Sequence, residues 1–145
     1  MKNLNIVRLL LAGLVSGIII YGFEAVTNAV ILGHDWLLWS ALATRLFVMP
    51  NEGLSLALWA GQALIAGWVG TFVFAAIKDW VGMRQRAAYM SGLIVWAPGW
   101  LGLSLDNLAV GVVPAKMVYD NLLAALLGCL IGQMVASLIY RDKGE

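Results

Sequence analysis

The chain has 145 residues, 62% of them hydrophobic and 12% charged, with a net charge of +1. Soluble domains carry about 25% charged residues, so this chain cannot coat a globule with charge and reads as one small integral membrane domain. The near-neutral balance offers no basic field to nucleic acid, and one Cys with one His leaves no disulfide framework, zinc site or thiol pair within a single chain.

Lys2 and Arg8 precede an apolar core in the manner of a signal peptide. The apolar run continues to Leu32, longer than a signal core of roughly 7–15 residues, and no small-x-small site follows it. This predicts a retained first span over about Leu9 to Leu32, long enough to cross the hydrocarbon. Glu24 lies inside that run, with Asn28 one helical turn later. An ionisable side chain is costly in hydrocarbon, so it is expected to turn inward and find partners.

The next segment, Asp35 to Met49, is too short to span. It is apolar apart from Asp35, Ser40, Thr44 and Arg45, three of which fall close together on a helical wheel. It is expected to form an interfacial helix on the outer surface. Pro50-Asn51-Glu52-Gly53 then breaks the chain before a second span over about Leu54 to Ile77. The third span covers about Ala87 to Leu108 and contains Pro98-Gly99 near its middle. Proline removes the hydrogen bond to the Ile94 carbonyl, which predicts a kink that splays the outer halves of the helices and leaves room for a pocket. The fourth span, about Met117 to Tyr140, follows Pro114. Runs of this length fit helices, and no alternating strand pattern suggests a barrel. The expected fold is therefore all-α: one domain over residues 1–145, built as a four-transmembrane-helix bundle with a short outer interfacial helix.

Charge placement predicts the orientation. Lys2, Arg8, Lys78, Arg84, Arg86, Arg141 and Lys143 fall on one side of the spans, and only Arg45 and Lys116 on the other. That bias predicts cytoplasmic termini. Trp36, Trp39 and Trp59 are then expected at the outer aromatic belt, and Trp80, Tyr89 and Tyr140 at the inner one.

With this orientation, polar residues converge in the outer third of every span. Glu24 lies about 10–12 Å below the outer end of span one, and Gln62 lies at a similar depth in span two. Asp106 and Asn107 end span three, and Asp120 and Asn121 begin span four. The inner halves hold almost no polar residue apart from Gln133. Helical phase agrees: Gly13, Gly17, Glu24 and Asn28 share a stripe, as do Ala88, Gly92, Val95, Gly99, Gly102 and Asp106, and as do Asn121, Ala125, Gly128, Gly132 and Ala136. Gly13-xxx-Gly17 and Gly128-xxx-Gly132 let backbones approach closely, either between copies or within the bundle.

The candidate ligand or ion site is thus Glu24, Asn28, Gln62, Asp106 and Asn121. Glu24 has two readings: a proton, cation or ligand hook, or an acid that locks helices together through Asn28, Gln62 or Asn121. Asp106 and Asp120 also read as interfacial helix caps, Asp120 in the first turn of span four where an acid complements the dipole. Trp96 and Trp100 flank Pro98-Gly99. His34 reads as a loop residue and Cys129 as a small packing residue. No motif for a phosphate loop, a hydrolase carboxylate pair or a nucleophile–base arrangement is present, so no catalytic residue, metal or cofactor is expected.

Three stretches carry a resemblance. They are Glu24 to Trp36 (EAVTNAVILGHDW); Phe74 to Lys78 (FAAIK) leading to Gly82 and then Gly92 to Trp96 (GLIVW); and Gly132 through Tyr140-Arg141. Together they resemble small four-span bacterial integral membrane proteins for which no activity is established. The resemblance implies four spans and a bacterial inner membrane, and implies no activity. The paired cysteines of quinone-linked disulfide enzymes are absent.

Three functions are expected on these grounds. The first is a non-enzymatic accessory or structural subunit, partnered by lipid and by other membrane subunits or its own copies. The second is a small transporter or channel built around Glu24. The third is a lipid or quinone binder in a pocket under the Asp35 to Met49 helix.

Overall fold

Every regular element among the described residues is helical. The computed structural model describes residues 4–44 and 51–142. Helix α1 (Ile6–Val26) runs on into a π turn, Thr27–Ile31. A short helix, α2 (Gly33–Ala43), follows, then the long α3 (Glu52–Val81). Helix α4 (Arg84–Trp96) passes through a second π turn, Ala97–Leu101, into α5 (Gly102–Val110), and α6 (Ala115–Ile139) closes the bundle. Four stretches are long and apolar enough to cross a membrane: Ile6–Ile31, Glu52–Val81, Arg84–Val110 and Ala115–Ile139.

These are the four predicted spans, with most ends reaching a little further than hydropathy suggests. The reason is capping. The Asn5 side chain accepts from the Arg8 N–H (3.2 Å) and that of Asn51 from the Leu54 N–H (2.7 Å), so hydrogen bonding begins before the apolar run. Gly82 (φ +72°) and Gly111 (φ +68°) end α3 and α5 in the left-handed region that glycine enters freely. The short helix begins at Gly33, two residues before the expected start of the interfacial segment. Its expected continuation over 45–49 lies outside the described residues.

Helix α1 packs against α3 and α6, and α4 packs against the same two helices. In lipid, the hydrophobic effect does not drive helices together, so close van der Waals contact and interhelical hydrogen bonds must do so. The glycines allow that contact. A methyl group on Gly67 of α3 would lie 2.4 Å from the carbonyl oxygen of Gly13 and 2.4 Å from the Gly17 nitrogen. One on Gly132 of α6 would lie 2.8 Å from Ser16 Oγ, and one on Gly128 would lie 3.1 Å from Ile20 Cα. Both glycine pairs therefore face neighbouring helices of the same chain. Midway along the bundle, Gln133 is fully buried; its Nε2 donates to Ser16 Oγ (2.9 Å) and to the Gly67 carbonyl (3.2 Å), tying α6 to α1 and α3.

The end that holds both Leu4 and Asp142 is locked by a cluster around Phe74, Ala88, Ala136 and Tyr140. Tyr140, expected at an aromatic belt, is instead fully buried and packs edge-on against Phe74. Its hydroxyl donates to Asp142 (2.7 Å), which also pairs with Lys78. Arg84, from the start of α4, donates to the Ser137 carbonyl (Nε, 2.7 Å) and to that of Tyr140. These carbonyls close α6, so the guanidinium serves as a cap supplied by another helix.

Candidate functional site

The opposite end, where α2 lies, is built differently. Its polar layer forms where both π turns fall. In the first, the Leu32 N–H reaches back to the Thr27 carbonyl (2.9 Å), a five-residue spacing in place of four. Asn28 sits inside this turn. Its Nδ2 donates to the Glu24 carbonyl (2.8 Å) and to Asn121 Oδ1 (2.8 Å), and its Oδ1 accepts from Trp36 Nε1 (2.7 Å). Asn121 completes the link by donating to the Met117 carbonyl (2.9 Å). Asn28 therefore latches α1, α2 and α6 together, and the hydrogen-bonding capacity of its side chain is largely used in doing so. An ion-pair cluster reinforces this end: Lys116 reaches Asp35 (2.8 Å) and Asp120 (3.1 Å), joining the starts of α2 and α6. Trp39 adds a further tie, donating to the Val112 carbonyl (2.9 Å).

Glu24 is half-buried one turn before Asn28. Its Oε1 accepts from the indole N–H of Trp100, in the second π turn, at 2.5 Å. Its other carboxylate oxygen has no hydrogen-bond partner among the described residues. Gln62 of α3 donates to the Gly99 carbonyl in that same turn (3.3 Å). Trp96 donates to the Leu122 carbonyl (3.1 Å) and so braces α4 on α6.

Beyond the second π turn the third span loses its grip on the bundle. Helix α4 buries five residues, including Gly92 and Val95, whereas no residue of α5 is buried. The break expected at Pro98 is present as a π turn, and a cavity of about 200 Å³ lies beside it. Glu24, Asn28, Gln62 and Asn121 all line it, so four of the five candidate residues converge on one space.

The fifth, Asp106, does not. It is exposed and lies off the cavity wall. The physical reason is helical phase. A π turn contains one residue more than the α-helical turn it replaces, so every position after Leu101 slips by one against a constant 100° per residue. The stripe predicted through Gly102 and Asp106 is taken up by Leu103 and Asn107, and both of these line the cavity. Sequence reasoning also missed Ser104 and the place of Trp36 and Trp59, expected only at an aromatic belt, which share the same wall with Trp100. Trp100 carried a signal, since it flanks the proline at the depth of Glu24. Trp36 carried none, because its contact with Asn28 depends on the reversal between the first π turn and α2.

Chemically, the cavity presents one carboxylate, several amides and indole rings, with Glu24 its one ionisable side chain among the described residues. It is equipped to recognise a solute by charge and shape. The chain matches no protein-family model, no curated protein and no solved structure.

Proposed function

We propose that this is a multi-pass protein of a bacterial inner membrane, with cytoplasmic termini, that binds a small polar solute in a cavity facing the outer side, as a small transporter or channel does. The observation that carries this reading is Glu24: a carboxylate held by Trp100 on one oxygen and open on the other, on the wall of a cavity of about 200 Å³. An intramembrane ionisable residue set against a cavity marks a substrate or ion path. In this reading α2 lies along the outer interface and contributes Trp36 to the wall, and the excess of Lys and Arg at the terminal end faces the cytoplasm.

Volume narrows the choice of solute. At about 30 Å³ per water, the space holds roughly six or seven waters. Pockets for drug-sized ligands run to about 300–1,000 Å³. The space suits a small solute better than a drug-sized one. The accessory-subunit reading draws no added support from the glycine pairs, read as serving association or internal packing, since both pack inside the chain.

Flux of a panel of small polar solutes into liposomes tests the proposal, using wild type, Glu24→Gln and the cavity-filling Ser104→Phe. Flux in wild type that falls in both variants supports it. Flux that is absent from all three, or equal in all three, overturns it.

A further inference from the structure

The wall of the cavity is one-sided in charge. Glu24 supplies a carboxylate, and among the described residues no Lys, Arg or His reaches the lining. Lys116, at this end of the bundle, is exposed and engaged by Asp35 and Asp120 instead.

Part of the hydrogen-bond donor set that could hold an anion is spent. The N–H of Trp36 goes to Asn28, that of Trp100 to Glu24, and one amide N–H of Asn121 to the Met117 carbonyl. What Trp36 and Trp100 leave for a solute is ring surface, and Trp59 adds a third ring, tilted against Trp36 with centroids 6.3 Å apart. Indole faces carry negative charge density and attract cations. Ser104 and Asn107 suit a solute of either sign. The unspent acceptors, the second oxygen of Glu24 and the side-chain oxygen of Gln62, suit only a positive or donor group.

A bare metal ion fits poorly, because hard cations need about six or more oxygen ligands, and much of this wall is carbon. An alkylated ammonium ion needs none: its charge is spread over methyl or methylene groups that pack on rings while the carboxylate balances it.

Resting on the reading that this cavity binds a solute, we infer that the solute is a small organic ammonium ion, with its cationic head between Glu24 and the rings of Trp36, Trp59 and Trp100.

The test is a comparison of two probes of nearly equal shape, choline and its neutral carbon analogue 3,3-dimethylbutan-1-ol. Both are titrated into the purified full chain in detergent at fixed ionic strength, followed by tryptophan fluorescence and calorimetry. Choline is expected to bind about tenfold or more tighter than the alcohol. Glu24→Gln is expected to weaken choline by about tenfold or more and to leave the alcohol unchanged. Trp59→Leu, at a ring that is 41% exposed, is expected to weaken choline more than the alcohol, and it carries the comparison if Glu24→Gln does not fold. Equal binding of the two probes, or choline binding indifferent to both substitutions, overturns the ammonium assignment while leaving a solute-binding cavity in place. Binding of neither probe also overturns the assignment. If the wider solute panel fails to move across liposomes as well, the binding reading falls with it.

Discussion

The indole N–H of Trp100 donates to the Glu24 carboxylate across 2.5 Å, joining the second π turn to the last part of α1. A ring and a donor are combined in one residue, and they can be separated. Trp100→Phe keeps much of the ring and removes the donor. It is expected to lower stability by about 1–3 kcal/mol, the range for leaving a hydrogen-bonded group of this kind without its partner. Glu24→Gln keeps an acceptor and is expected to lose less than about 1 kcal/mol. Thermal unfolding of both variants in one detergent gives the ranking. A Trp100→Phe variant as stable as wild type would show that the bond adds nothing to ring packing.

Asn28 and Asn121 should be energetically coupled. Interhelical side-chain hydrogen bonds inside membrane proteins average about 0.6 kcal/mol and reach about 1.7 kcal/mol. A double-mutant cycle with Asn28→Leu and Asn121→Leu should return a coupling in that interval, since the two amides meet at 2.8 Å. Asn28→Leu alone should also release the Trp36 N–H and shift tryptophan emission. A coupling of zero would mean that the latch is not closed in the folded protein.

Gly67 and Gly61 lie on the same helix and should respond oppositely to alanine. A methyl group on Gly67 meets the backbone of α1 at 2.4 Å, which rigid backbone cannot accommodate without the helices moving apart. Overpacking of this kind costs about 1–3 kcal/mol or more. A methyl group on Gly61 meets nothing within 4 Å, so Gly61→Ala should gain up to about 1 kcal/mol from helix propensity. Denaturation in mixed micelles distinguishes them, and a neutral Gly67→Ala would contradict the close approach of α1 and α3.

At the terminal end, the hydrogen bond from Lys78 holds the Asp142 carboxyl below its ordinary range, with desolvation opposing and Tyr140 assisting. Because the folded value lies below the unfolded one, near 3.9, the stabilisation is complete above the unfolded value. It is lost as pH falls through the folded value. The site borders solvent, so screening limits its worth to about 1 kcal/mol or less. Asp142→Asn should therefore be slightly less stable than wild type at pH 7, and the gap should close as pH drops below about 4. Melting curves across pH report this directly; a gap that widens on acidification would reverse the assignment.

The parts of this structure that could be read in the sequence follow from properties that need only local information. Hydropathy is nearly additive along the chain, so the four long helices were visible, as was the interruption at Pro98. Helical phase held where the helix stayed α: Gly13 and Gly17 both meet α3, and Asn121, Gly128 and Gly132 all meet the first span. It failed after Ala97, because proline announces where a helix breaks but not that the break adds a residue. Asp106 was assigned to the cavity for that reason, and Asn107 takes its place. The Thr27–Ile31 turn has no proline and left no trace in the sequence. The role of Arg84 was equally hidden: counted along the chain it is one more charge between two spans, and only the packing of α4 on α6 turns it into a cap.

The extra residue in the Ala97–Leu101 turn also acts as slack. Removing one residue from an unbroken transmembrane helix swings everything beyond it by about 100°, which is ordinarily ruinous. Here a chain lacking Pro98 could run as plain α-helix and still present Leu103 and Asn107 on their present side. Pro98→Ala at full length has the opposite geometry: straightening without shortening would rotate Asn107 away and bring Asp106 round beside Glu24. The shorter chain is thus the more conservative change, and the position of a second carboxylate relative to the first depends on a single residue of length.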